Sequence, residues 1–303
     1  MSILIGNKLN ASSIALGCMR LTRLDIAEAE KLLLTAVEKG INFFDHADIY
    51  AGGEAETLFG QILRRNPGLR EKIIIQTKCG ICPGYYDSSE EHILEAVDGS
   101  LSRLGLDSVD VLLIHRPDAL MEPEEMASAF EKLEKAGKVR AFGVSNMNST
   151  QMQLLDRAMP GKMIINQLQF GVAHSGLVDE GIAVNTDLDQ AIVRTDGVLD
   201  YCRLNGVTVQ AWSPMQYGMF KGPFMQCEDY AELNAYMEEL AQQYNVSAEA
   251  IALAWILRHP AKIQAIVGTI NPKRLVDCAK ATEFTLTREE WYEIYRAAGY
   301  RLP

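Results

Sequence analysis

No stretch of the 303-residue chain carries the roughly 18 consecutive apolar residues of a membrane-spanning helix. The opening residues, MSILIGNKLNASSIALG, hold no charged segment followed by a sustained apolar run, so no export signal is expected. Cysteine is scarce and scattered: there are six, at positions 18, 79, 82, 202, 227 and 278. Without an export signal they read as reduced thiols of a cytoplasmic protein. Positive charge is also short, with 29 Lys and Arg against 40 Asp and Glu and a net charge of −11. That field repels nucleic acid and anionic membrane, so neither is an expected partner, and an anionic ligand needs a locally basic pocket. No Gly-x-Gly-x-x-Gly turn follows the first apolar run, where the chain reads Gly17-Cys18-Met19-Arg20. This argues against a doubly wound dinucleotide-binding sheet.

What is present is an alternation. Short apolar runs at 13–16, 41–44, 73–77, 109–114, 139–144, 163–165, 207–211 and 263–267 read as strands. Helical patterns fall between them, at 27–39, 54–65, 89–104, 123–136, 149–158, 199–205, 232–244 and 248–257. Further helices at 272–280 and 288–298 close the chain. Asp25 with Glu28 forms a capping-box pair, and Gly40, Gly105 and Gly137 stand at helix stops. Strands separated by helices pair in parallel through right-handed crossovers. Eight such units predict a (β/α)8 barrel spanning residues 1–303 as a single domain, with long loops after the sixth and seventh strands. The stretches 171–195 and 216–229 are those loops, and both overhang the mouth.

Four ionisable side chains stand at or just past consecutive strand ends: Asp45, Tyr50, Lys78 and His115. In a parallel barrel they emerge on one face, the face that carries active sites. Asp45 beside Lys78 keeps a buried ammonium charged. That cation favours phenolate and is expected to lower the pKa of Tyr50 from its usual value of about 10. His115 orients a substrate oxygen. The arrangement hands a proton to a developing alkoxide, as carbonyl reduction by a hydride-donating cofactor requires.

The run Ile41-Asn42-Phe43-Phe44-Asp45-His46-Ala47-Asp48-Ile49-Tyr50, followed by Lys78 and His115-Arg116-Pro117-Asp118, resembles the aldo-keto reductase family. So do Gly143-Val144-Ser145-Asn146, Asn166-Gln167 and Trp212-Ser213-Pro214. The likeness runs from about residue 13 to 295 in the family's order and spacing. It implies a barrel, a catalytic tetrad of Asp45, Tyr50, Lys78 and His115 with Tyr50 as general acid, and NADPH as cofactor. Implied cofactor contacts are Gly17, Met19 and Arg20 after the first strand. Ser145, Asn146 and Gln167 fall on the nicotinamide carboxamide, and Trp212 on the nicotinamide ring. Ser213, Met215 and Gly218 fall on the pyrophosphate. Gly268, Thr269, Asn271 and Arg274 follow the eighth strand and open a helix, an anion site for the adenosine 2′-phosphate. The family often has Lys at the Gly268 position and Glu-Asn at Asp277-Cys278, so the grip on the 2′-phosphate and adenine is expected to be weaker. His46 stands where a small residue is usual.

Other readings stay open. Asp45, His46, Asp48, Lys78 and His115 could serve a metal-dependent hydrolase, but there is no His-x-His, and His92, His174 and His259 fall in helix or loop patterns. A nicotinamide-binding regulatory subunit on the same barrel is the non-enzymatic alternative. Cys79-Gly80-Ile81-Cys82 could be a redox or metal pair, but it leads into Pro83-Gly84 and reads as loop. The expected partner is a small carbonyl compound and the expected form a monomer or weak oligomer.

Overall fold

A computed structural model describes residues 2–219 and 221–303. Eight strands close into a parallel barrel: β1 (Ile14–Gly17), β2 (Phe43–Asp45), β3 (Ile74–Cys79), β4 (Val109–Ile114), β5 (Val139–Ser145), β6 (Met163–Gln169), β7 (Thr208–Trp212) and β8 (Gln264–Val267). Each neighbours the next in chain order, and β8 pairs with β1, Val267 lying opposite Leu16. Helices cover the outside, so β4 is buried along its whole length.

The helices start and stop on local chemistry. In α1 (Ile26–Glu38), Asp25 accepts from the Glu28 amide at 2.8 Å and Glu28 returns the bond to the Asp25 amide at 3.1 Å. α2 (Glu54–Arg65) follows a left-handed run of Ala51, Gly52 and Gly53. α3 (Glu90–Leu104) begins on the Ser89 hydroxyl and ends at left-handed Gly105. α4 (Pro123–Lys135) has proline in its first turn, and α5 (Ser149–Ala158) opens with an Asn148–Gln151 capping box. No helix among the described residues is long and apolar enough to cross a membrane.

Three features depart from the sequence reading. Residues Ser2–Ile5 and Leu9–Ser12 form an antiparallel hairpin, Ser2 opposite Ser12. Its Ile3 and Ile5 pack with Phe43, Val111, Leu113 and Ile165, so the hairpin plugs the end of the barrel away from the strand C-termini. The strand β6 runs on to Gln169 instead of stopping at residue 165. Its polar residues Asn166 and Gln167 are both buried, and their side-chain amides donate to the Met147 carbonyl and to Asp45, which offsets part of their desolvation. The loop 171–195 contains a short helix, α6 (Gly176–Ile182). After it come α7 (Val198–Leu204), α8 (Ala231–Tyr244), α9 (Ala248–Leu257), α10 (Pro272–Ala279) and α11 (Arg288–Ala297).

Gly6 turns the hairpin with φ +51°, and a Cβ there would lie 2.3 Å from Ile164 Cβ. Gly6→Ala combines backbone strain with overpacking and is expected to lower unfolding free energy by about 2 kcal/mol. Urea denaturation measures it.

Candidate active site

All eight strand C-termini open on one face, and the sequence-predicted residues gather there. Asp45 ends β2, and Gly17, paired with it in register, ends β1. Lys78 is the penultimate residue of β3, and His115 follows β4 directly, its amide donating to the Cys79 carbonyl at 2.8 Å. Tyr50 arrives by a different route. The turn after Asp48 brings it back over the strand ends, just before the left-handed Ala51–Gly53 run.

Lys78 is completely buried. Its Nζ lies 2.8 Å from Asp45 Oδ1 and 2.9 Å from Oδ2. It also donates to the His46 carbonyl at 2.8 Å and to the Tyr50 hydroxyl oxygen at 3.0 Å. With that oxygen accepting from the ammonium, the phenolic hydrogen stays available to a ligand. The Tyr50 and His115 rings meet edge to face, centroids 6.0 Å apart.

The electrostatics follow from this packing. Burial alone would depress Lys78, but the Asp45 carboxylate and the Tyr50 oxygen outweigh it and hold the ammonium above its ordinary value. For Tyr50 the balance reverses the sequence expectation. Burial pushes the phenol up, Lys78 pulls it back only in part, and Asp45 adds to the rise. The phenol is therefore protonated at neutral pH. Burial and the nearby Lys78 and Arg116 charges lower His115 to about 2, so its imidazole is neutral. His46 is also neutral, lowered to about 3 by burial and Lys78. Both His46 ring nitrogens lack hydrogen-bond partners, and the ring packs edge-on against Phe59 at 4.5 Å.

A second group of predicted residues is linked by hydrogen bonds. A Cβ on Gly143 would lie 2.6 Å from the Ile165 carbonyl oxygen, so glycine lets β5 approach β6 and brings Ser145 opposite Gln167. Ser145 Oγ donates to the Gln167 carbonyl at 2.8 Å and accepts from Asn146 Nδ2 at 2.7 Å. Trp212 Nε1 donates to Asn146 Oδ1 at 3.2 Å. Both Asn146 and Ser213 take left-handed backbone, with φ +59° and +48°. Met19 is exposed, Arg20 and Met215 half-buried, and Gly218 buried.

Sequence reasoning missed three glutamines. Gln76, Gln210 and Gln264 are fully buried in the barrel. Gln76 Nε2 donates to Asp45 Oδ1 at 2.6 Å and to Gln210 Oε1 at 2.9 Å. Gln167 Nε2 donates to the same two oxygens, at 3.0 Å each. Gln210 donates on to Gln264 at 2.8 Å, and Gln264 to the Ser12 carbonyl at 2.6 Å. An amide chain thus joins Asp45 to the hairpin plug. The available signal was a polar residue two positions before Lys78, and another two before Trp212, inside apolar strands.

After β8, Gly268 and Arg274 are exposed, and a Cβ on Gly268 would meet nothing within 4 Å. The expected helix N-terminal anion site is partly filled by the protein itself. Asn271 Oδ1 accepts from the Lys273 and Arg274 amides at 2.9 and 3.3 Å, and Thr269 Oγ1 accepts from the Asn271 amide at 3.2 Å. What is left for an anion is the side-chain set of Thr269, Lys273 and Arg274. Cys82 lies 3.9 Å from His92 Nε2, while Cys79 is buried with its thiol pushed well up, chiefly by burial.

The sequence profile described as the Aldo/keto reductase family matches residues 13–298. The chain is 36% identical to the 6-dehydroglucose reductase of Agrobacterium fabrum (strain C58), covering 98% of this chain and 97% of that protein. It is 37% identical to the 6-dehydroglucose reductase of Novosphingobium aromaticivorans, covering 91% and 88%. Among solved structures, the aldo-keto reductase from Klebsiella pneumoniae in complex with NADPH superposes with a TM-score of 0.78 at 26% identity, covering 97% of this chain and 94% of that one.

Removing one partner of the buried pair leaves an uncompensated charge. Asp45→Ala is expected to cost about 3–5 kcal/mol of unfolding free energy, and adding Lys78→Met to recover part of it. Equilibrium unfolding of both variants checks this.

Proposed function

The chain belongs to the aldo/keto reductase family, and from that premise we propose that it reduces aldehyde and ketone carbonyls with NADP(H), Tyr50 acting as general acid. The observation that carries this reading is the buried Lys78 ammonium donating to the Tyr50 oxygen at 3.0 Å.

The residues present suit the cofactor. Gln167 spends its amide hydrogens on Asp45 and Gln210, which leaves its carbonyl oxygen for the NH2 of a carboxamide. Ser145 and Asn146 stand beside it, and the Trp212 ring is partly open. Gly17, Met19, Arg20, Ser213, Met215 and Gly218 would border the ligand further along. Thr269, Lys273 and Arg274 would meet the 2′-phosphate, with Arg274 as its main cation, while Gly268 leaves room beside it and Asn271 caps the helix that carries it. When bound, NADPH supplies the hydride.

The protein supplies the proton. The substrate oxygen gains negative charge during reduction and accepts the hydrogen of Tyr50 Oη. Lys78 then stabilises the phenolate left behind, and Asp45 keeps Lys78 charged. The neutral imidazole of His115 donates to the same substrate oxygen and aims it. In the reverse direction Tyr50 must first ionise, which its elevated pKa defers to alkaline pH. The names of the two relatives support a sugar-derived aldehyde as substrate. Specificity would come from exposed Tyr85 and Tyr86, which sit on a hairpin after β3, and from 170–195 and 217–224, of which Phe220 lies outside the described residues.

Following NADPH oxidation with 6-dehydroglucose and a panel of simpler aldehydes tests the reading. Tyr50→Phe is expected to abolish turnover while NADPH binding persists; undiminished turnover would sink the assignment. Because His115 protonates only near pH 2 and Tyr50 ionises above its ordinary value, kcat for reduction should show no inflection between pH 6 and 9. An inflection near 6.5 would contradict the neutral imidazole.

A further inference from the structure

The Arg274 side chain is not a free cation. Its Nε lies 3.7 Å from Glu249 Oε1, with the two side chains 59% and 29% exposed. Glu249 sits in the first turn of α9, where a carboxylate suits the helix dipole, and it reaches across to the first turn of α10. Two further conditions make this pairing matter. Gly268 brings no side chain, although the space around it is open. The first amides of α10 are already taken by Asn271. A phosphate arriving here depends mainly on Arg274 and exposed Lys273, and Glu249 competes for Arg274.

We propose that Glu249 is a specificity-determining residue: by holding Arg274 it narrows the preference for NADPH over NADH. This rests on the placing of the 2′-phosphate above and adds a residue that touches no part of the reacting centre. NADH has a ribose hydroxyl in place of the phosphate, so it neither gains from Arg274 nor suffers from Glu249 to the same extent. The protein therefore uses both nucleotides, with a modest ratio that the carboxylate sets.

The size of the effect is bounded. Exposed ion pairs are worth at most about 1 kcal/mol, and a change of that size is roughly fivefold in a dissociation constant. Glu249→Gln keeps the shape of the side chain and removes its charge.

Binding, not turnover, is the readout. NADPH and NADH are titrated by fluorescence into the wild type, Glu249→Gln, Arg274→Ala and the double variant, at one fixed low salt concentration. Glu249→Gln is expected to tighten NADPH about fivefold and NADH by less than twofold. In the Arg274→Ala background the same substitution should change NADPH binding by less than twofold, because its target is gone. Equal tightening of both nucleotides, no tightening, or a full gain without Arg274 would each overturn the competition. If Arg274→Ala weakens NADPH and NADH equally, the placing of the 2′-phosphate fails first and the proposal falls with it. If Arg274→Ala is selective and Glu249→Gln is silent, only the role of Glu249 falls.

Discussion

A lysine ammonium with no solvent contact is the constraint around which this barrel mouth is arranged. In a low-dielectric interior an isolated charge is far more expensive than any single packing interaction gains. Lys78 is tolerated because Asp45, the His46 carbonyl and the Tyr50 oxygen surround its Nζ within 3.0 Å. Asp45 has a matching need, and the amides of Gln76 and Gln167 converge on its Oδ1. The Tyr50 oxygen completes the shell of Lys78, so its hydroxyl hydrogen is the group left over. The same contacts that make the charge pair tolerable also leave the Tyr50 hydrogen free for the proton donation we propose.

The amide chain extends that constraint through the barrel. Its polarity is set at both ends by groups that only accept, the Asp45 carboxylate and the Ser12 carbonyl. Reversing Gln76 would set three oxygens against one another, so Gln76 Oε1 is left buried without a partner instead. The hairpin plug is thus tied to the strand ends by hydrogen bonds as well as by apolar packing. Gln167 belongs to the amide chain and, through its backbone carbonyl, also holds Ser145, which is how interior order reaches the open face.

Much of this was legible in the chain. Parallel strands leave their last residues on one face, so Asp45, Lys78 and His115 could be grouped from apolar runs alone, and α2 and α9 match their patterns at both ends. What was not legible depended on tertiary context. The N-terminal hairpin is short, and its apolar residues gain meaning only as a plug for a closed barrel. The run of β6 past residue 165 was hidden because Asn166 and Gln167 look like a strand end until their partners on β5 and β7 are known. The direction of the Tyr50 shift was misread because it is a contest. The attraction of Lys78 is visible in the sequence, and the burial that outweighs it is not. The helix terminus after β8 promised free amides, and Asn271 used two of them as its own cap.

Lys78 contacts the Tyr50 oxygen directly while burial keeps the phenol protonated. Carbon-13 labelling of tyrosine Cζ, with the Tyr50 signal assigned by its loss in Tyr50→Phe, reads this ionisation directly. Tyr50 should titrate above its ordinary value of about 10 in the unmodified protein, and higher still in Lys78→Met. A Tyr50 that ionises near neutral pH, or at the same pH with and without Lys78, would contradict this coupling.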